Sequence, residues 1–218
     1  MITPAVFWAT QLMSSTLSPS QRQHFPTVAR YLDQLPSGID SYPQYQAKAS
    51  LLHSVLADHS LVSVADALPS VLSEMILRPP PLSGWLSEVH FRCITRVVLD
   101  AFFRDRRKFV TWSYDAQHKL LSGPVYGLLF TLLSPERGLK VGATRWAAFH
   151  KGMTVDIVPG EHSGRVTFRF AAHLFDDLDH EVTLAGLRVA IELMGARGVR
   201  VMERTETATS ASALMQWR

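Results

Sequence analysis

The feature that most constrains the fold is a change of hydrophobic period near residue 153. Before it, apolar residues recur at spacings of three and four; after it, "MTVDIV" and "RVTFRF" alternate. The first spacing buries one stripe of a helix and the second one face of a strand. The turn-rich "PGEHSG" between the two alternating runs predicts a hairpin. Val166, Phe168 and Phe170 then face a core, and Arg165, Thr167 and Arg169 face water or a partner. "EVTLAGLRVAIELMGARG" follows as an amphipathic helix closed by Gly195 and Gly198, and "VRVMER" and "SALMQWR" as two further strands. The order strand, strand, helix, strand, strand closes most simply into a four-stranded antiparallel sheet with helices on one face. The expected class is α+β: a helical N-terminal region, then a helical layer packed on that sheet.

The helical part is punctuated by local signals. Thr3 with Pro4, Ser18 with Pro19 and Ser134 with Pro135 each place a capping hydroxyl before a proline at the first helical position. "LPSGIDSYP" is a turn. "QYQAKASLLHSVLADHS" and "VSVADALPSVLSEMIL" read as two helices, the second disturbed in its middle by Pro69. "RPPPLSG" is the strongest break and sets a boundary between residues 1–80, a helical region, and residues 81–218, the α+β domain. "LSEVHFRCITRVVLDAFF" is the clearest amphipathic helix, and the basic run Arg104 to Lys108 is expected to end it, where positive charge suits the dipole. "KFVTWSYDAQHKLL" and "GPVYGLLFTLL" read as helices around Gly123-Pro124.

Composition excludes some chemistries. The chain has 218 residues, 47% hydrophobic and 19% charged, with a net charge of +3, so it can bury a core without staples. Cys93 is the only cysteine, which rules out an internal disulfide and any multi-cysteine metal centre. The N-terminus lacks a basic signal-peptide region and no apolar run approaches about 18 residues, so a cytoplasmic location is expected. There is no Gly-rich phosphate loop, Gly-x-Ser-x-Gly elbow or His-Glu-x-x-His, which argues against the common hydrolase and nucleotide-using classes.

From about residue 82 the layout carries a resemblance. "WLSE", the long helix, "SPERGLKVGATRWAAFHKG", the hairpin and "MGARGVRV" together resemble a myxobacterial paralogous family. That family is similar to a wider group of ligand-binding domains: the heme-nitric-oxide-binding domain, the vinyl-reductase-type domain and the small TRAPP tethering subunits. The resemblance implies a helical layer on a four-stranded sheet, a homodimer and an apolar tunnel for a lipid-like ligand. Two departures stand out. No tyrosine here is followed by the Tyr-x-Ser-x-Arg heme-propionate motif, and one cysteine cannot supply the metal set of the vinyl-reductase type.

Candidate chemistry gathers at a few places. In "HLFDDLDHE", His173, Asp176 or Asp177, and His180 could ligate a divalent metal, but acidic residues at a helix start also serve as caps, with Asp177 or Asp179 the expected one. No metal is expected on that ground. A heme would need His90, His118 or His150 as its axial ligand. His90 and Cys93 share the apolar stripe of one helix, and a buried mid-helix thiol is inert. If the helices leave a tunnel against the sheet, Trp112, Trp146, Phe149, Trp217 and His90 are the residues expected to line it. "RDRRK" with Arg165 and Arg169 is too small a basic patch for nucleic acid to be the expected partner.

Three readings follow. The leading one is a dimeric, non-catalytic binding or interaction module that needs no cofactor and holds an apolar small molecule or a partner protein. Exposed-looking apolar positions in the first 80 residues, such as Phe7, Trp8 and Leu12, could cover the sheet domain or swap onto a neighbouring copy. The alternatives are a heme or metal sensor using one of the histidines, and an enzyme with a dispersed site.

Overall fold

The computed structural model describes residues 17–123 and 127–218, and the chain divides into two compact units between Arg104 and Asp105. The Thr3–Pro4 cap and the apolar trio Phe7, Trp8 and Leu12 lie outside the described residues. Among the described residues no helix is long and apolar enough to cross a membrane.

The first unit is mostly helical. Helix α1 (Pro19–His24) starts with a capping box between Ser18 and Gln21, as the Ser-Pro signal predicts. Helix α2 (Pro26–Asp33) buries Val28, Ala29, Tyr31 and Leu32. A short antiparallel pair, β1 (Gln46–Lys48) and β2 (Trp85–Ser87), replaces helix at two places where helix is expected. In it Ala47 faces Leu86, and each strand runs directly into a helix: α3 (Ala49–Asp58) and α6 (Glu88–Val98). Pro69 does not sit inside a helix. It occupies the N-cap of α5 (Ser70–Leu77), and the shorter α4 (Val62–Ala65) ends before it, because proline is tolerated at a helix start and not in its interior. The "RPPPLSG" break is the loop from α5 to β2, inside this unit.

Helix α6 widens into a π-helical turn, Leu99–Phe103, and stops at Arg104 in the left-handed conformation (φ 52°). The basic run therefore does not end the helix. Asp105 caps α7 (Arg106–Leu121) by accepting the Lys108 amide, and Arg106 to Lys108 form the first turn. Their unfavourable position on the dipole is offset by that cap. Arg106 is further held by Asp177 and Glu181 at 2.6 and 2.8 Å.

The second unit contains α7, α8 (Gly127–Thr131), α9 (Pro135–Trp146), the short strand β3 (His150–Lys151), then β4 (Thr154–Gly160), β5 (Ser163–Arg169), α10 (Asp177–Leu193), β6 (Arg200–Thr207) and β7 (Ser210–Gln216). The four long strands form an antiparallel sheet in the order β4-β5-β7-β6. The α+β class and the strand, strand, helix, strand, strand unit are thus as the periodicity predicts. Alternation sets the faces: Val166 and Phe168 on β5 and Ala211, Ala213 and Met215 on β7 are buried. On the opposite face Arg165 pairs with Glu203 and Arg169 with Asp156, so the outward arginines are neutralised across the strands. Helix α9 packs beside β4, where Gly142 leaves Ile157 within 3.2 Å of any added Cβ. Helix α10 crosses α7 at Gly186, where a Cβ would lie 1.9 Å from the Gln117 side-chain oxygen.

Candidate functional site

In the first unit a stripe of buried charge runs along α6. Glu88, Arg92, Arg96 and Asp100, four residues apart in turn, are all at most 9% exposed. Arg92 bonds Glu88 at 2.6 Å. The Arg96 guanidinium lies 3.9 Å from the centre of the Tyr31 ring and donates to the Arg92 carbonyl at 3.1 Å. Asp100 accepts the Thr27 and Val28 amides, so it caps α2 from a distant element. Its burial pushes its carboxyl above the ordinary range despite those bonds.

His90 lies off this stripe. Its Nδ1 is buried and has no hydrogen-bond partner among the described residues. Burial holds its ring below the ordinary imidazole range, against the opposing pull of Asp40 and a backbone bond with Ile39. A neutral imidazole with one bare nitrogen and the other end tied to backbone is the form in which histidine binds a metal. The other two heme candidates differ. His118 is exposed on α7, and His150 is buried with its ring stacked on Trp146 at 4.3 Å.

The second unit holds a small cavity between α10 and the inner sheet face. Phe168, Phe175, Leu184, Ala211 and Ala213 make its apolar wall, and His180, Thr183, Arg204 and Glu206 its polar side. It holds about 10 Å³, room for a single water, so neither a porphyrin nor an acyl chain enters it as it stands. His180 is buried, with Nδ1 3.0 Å from a Glu206 oxygen but not aligned as a hydrogen bond. Glu206 in turn pairs with Arg204, which also donates to the Asp177 carbonyl at 3.0 Å.

The "HLFDDLDHE" cluster is a helix entrance. Asp176, one residue before the expected caps, is the N-cap of α10, and with Asp179 it forms a capping box. His173 is exposed in the left-handed conformation (φ 59°), and His180 turns towards Glu206. Among the described residues no three His, Cys, Asp or Glu side chains gather as a metal set.

The aromatic residues named as tunnel lining do not gather in that cavity. Trp146 stacks on His150 and meets Phe168 at 4.9 Å, Trp112 packs on Phe109 at 5.4 Å, and Trp217 is buried past the end of β7. Phe149 is half-buried after α9. The residues that do line the cavity, His180, Arg204 and Glu206 among them, carry no sequence motif. The one available signal is that Arg204 and Glu206 alternate onto the same side of their strand.

No family model matches the chain, and no curated protein matches it. Solved structures do. One, from work on heme distortion in the H-NOX family, aligns with a TM-score of 0.56 at 11% identity, over 78% of this chain and 95% of that one. A Cs H-NOX mutant carrying 4-cyano-L-phenylalanine aligns at 0.52 and 12% identity, over 78% and 96%. An oxygen-binding H-NOX domain related to soluble guanylate cyclases aligns at 0.50 and 11%, over 78% and 92%. The class defined is an α+β fold similar to that of these H-NOX structures. At this identity the likeness is one of fold.

Proposed function

We propose that this chain is a ligand-binding sensor module of the H-NOX type, non-catalytic in itself, with heme as its ligand and His90 as the axial residue. The observation that carries the reading is coverage: the likeness spans 95% of an H-NOX chain, so a whole domain of that architecture is present and not a shared fragment. His90 supports the heme assignment, since its buried Nδ1 lacks a protein partner and burial keeps the ring neutral. When bound, heme would be held by His90 and would supply an iron able to take up a small ligand. This chain's own part is to present the imidazole, hold it by Ile39 and Asp40, and keep water from it.

The test is to add hemin to the purified protein and reduce it. A stoichiometric Soret band, lost in His90→Ala and restored by free imidazole, is the expected result. No band in the wild type would end the heme reading. A second reading would then stand: a heme-free module that binds an apolar molecule or a protein. The missing Tyr-x-Ser-x-Arg favours it, because the propionates would lack their usual anchor, and Arg92 and Arg96 are already engaged by Glu88 and Tyr31. Kinship with the myxobacterial, vinyl-reductase-type and TRAPP-type domains, and a cytoplasmic location, belong to this proposal.

A further inference from the structure

Strand β6 is one of the two edges of the four-stranded sheet; among the described residues no further strand pairs with it, and all eight of its residues are exposed. Val201 and Met202 are 44% and 54% exposed. Such an edge offers unpaired backbone N–H and C=O groups and is ordinarily blunted. Here a bulge between Val201 and Glu203 breaks the register, which leaves Glu203–Thr207 as the regular stretch. The bulge does not cover that stretch. What discriminates between partners there is its charge pattern.

We infer that Glu203–Thr207 of β6 is a self-complementary edge on which a second copy of this chain docks, antiparallel, to continue the sheet. In such a pair the two-fold axis is normal to the sheet and passes through one residue, because opposed residues must share a face. The faces are known from the pairing with β7. Arg204 and Glu206 stand opposite the buried Ala213 and Ala211, and Glu203 and Thr205 opposite Leu214 and Ser212. An axis through Glu203, Arg204 or Glu206 would set a charge against its own copy, which is destabilising. An axis through Thr205 avoids this. It sets each Arg204 opposite Glu206 of the partner subunit, twice over, and Glu203 opposite a threonine. Because Arg204 and Glu206 already pair within one chain, the result is an alternating cluster of four charges.

The contact is short and would fall below the about 1,200–2,000 Å² of a standard interface unless flanking residues join it. A reversible dimer is therefore expected, weakened by salt. It does not depend on heme, so its test is separate from that of the heme reading.

Sedimentation or light scattering of the full chain, run up to about 100 µM as befits a weak pair, reads the assembly. The wild type should dimerise. Arg204→Glu and Glu206→Arg should each weaken the dimer roughly tenfold or more, and the doubly swapped R204E/E206R should recover it. Arg204 also donates to α10, so Thr205→Lys serves as a second variant. It sets like charges across the axis while sparing the Arg204 and Glu206 contacts, and it should also yield a monomer with an unchanged circular dichroism spectrum. A wild type that stays monomeric, or a dimer indifferent to Thr205→Lys and to both single reversals, would overturn the inference.

Discussion

Asp100 shows how a single residue can stabilise and strain a fold together. It caps the start of α2 with two amide bonds, yet burial disfavours its charge. A carboxyl raised in the folded state binds more protons there than in the unfolded chain. Its contribution is therefore greatest at low pH and is lost as pH rises from the ordinary carboxylate range through the raised value. His90 runs the other way. An imidazole lowered by burial contributes above the ordinary histidine range, and that contribution is lost as pH falls through it. Urea unfolding across a pH series should thus show Asp100→Asn without the acid-side gain and His90→Gln without the loss near pH 6. Asn keeps one oxygen for the Thr27 and Val28 amides, so its change at neutral pH should stay within about 1 kcal/mol. Identical slopes in wild type and variants would refute both assignments. None of this was legible in the sequence. The apolar stripe of α6 was visible, but nothing local in the sequence says that the charges at 88, 92, 96 and 100 are buried, Arg96 against Tyr31 and Asp100 against the start of α2.

At the scale of elements, legibility followed how local the signal was. The serine caps at Ser18 and Ser134 and the change of period needed only neighbouring residues, and they stand. The basic run at Arg104 to Lys108 was misassigned because charge alone favours a helix end. The deciding partners, Asp177 and Glu181, come from a helix far along the chain. Trp85–Ser87 reads as a helix start, and its strand depends on pairing with Gln46–Lys48. For α10 the entrance was legible and its cap was displaced by one residue. Asp176→Ala, which removes the bonds to the Leu178 and Asp179 amides, should cost about 0.5–2 kcal/mol. Asp177→Ala at the neighbouring position should cost less, as it loses only an exposed ion pair. A chemical-denaturation comparison of the two settles which aspartate is the cap.

For the molecule as a whole, the division at Arg104 and Asp105 makes a claim about autonomy. The second unit has its own core of Val166, Phe168, Phe175, Val189, Ile191 and Met215. A chain of residues 105–218 should therefore fold alone, with a single cooperative thermal transition and the circular dichroism of helix plus sheet. A fragment that melts without cooperativity would show that the unit borrows its stability. The candidate site was less legible than the fold. His90 could be named, but its bare nitrogen arises from packing against Ile39 and Asp40, and the His180–Glu206 pair arises from strand register.

The two borders of the large sheet differ in kind. On β4, Pro159 has no N–H to offer, while among the described residues no further strand pairs with Glu203 to Thr207 on β6. In the language of polymer chemistry a chain that pairs through β6 alone is a monofunctional monomer. One addition would consume that end, so growth would terminate at two units.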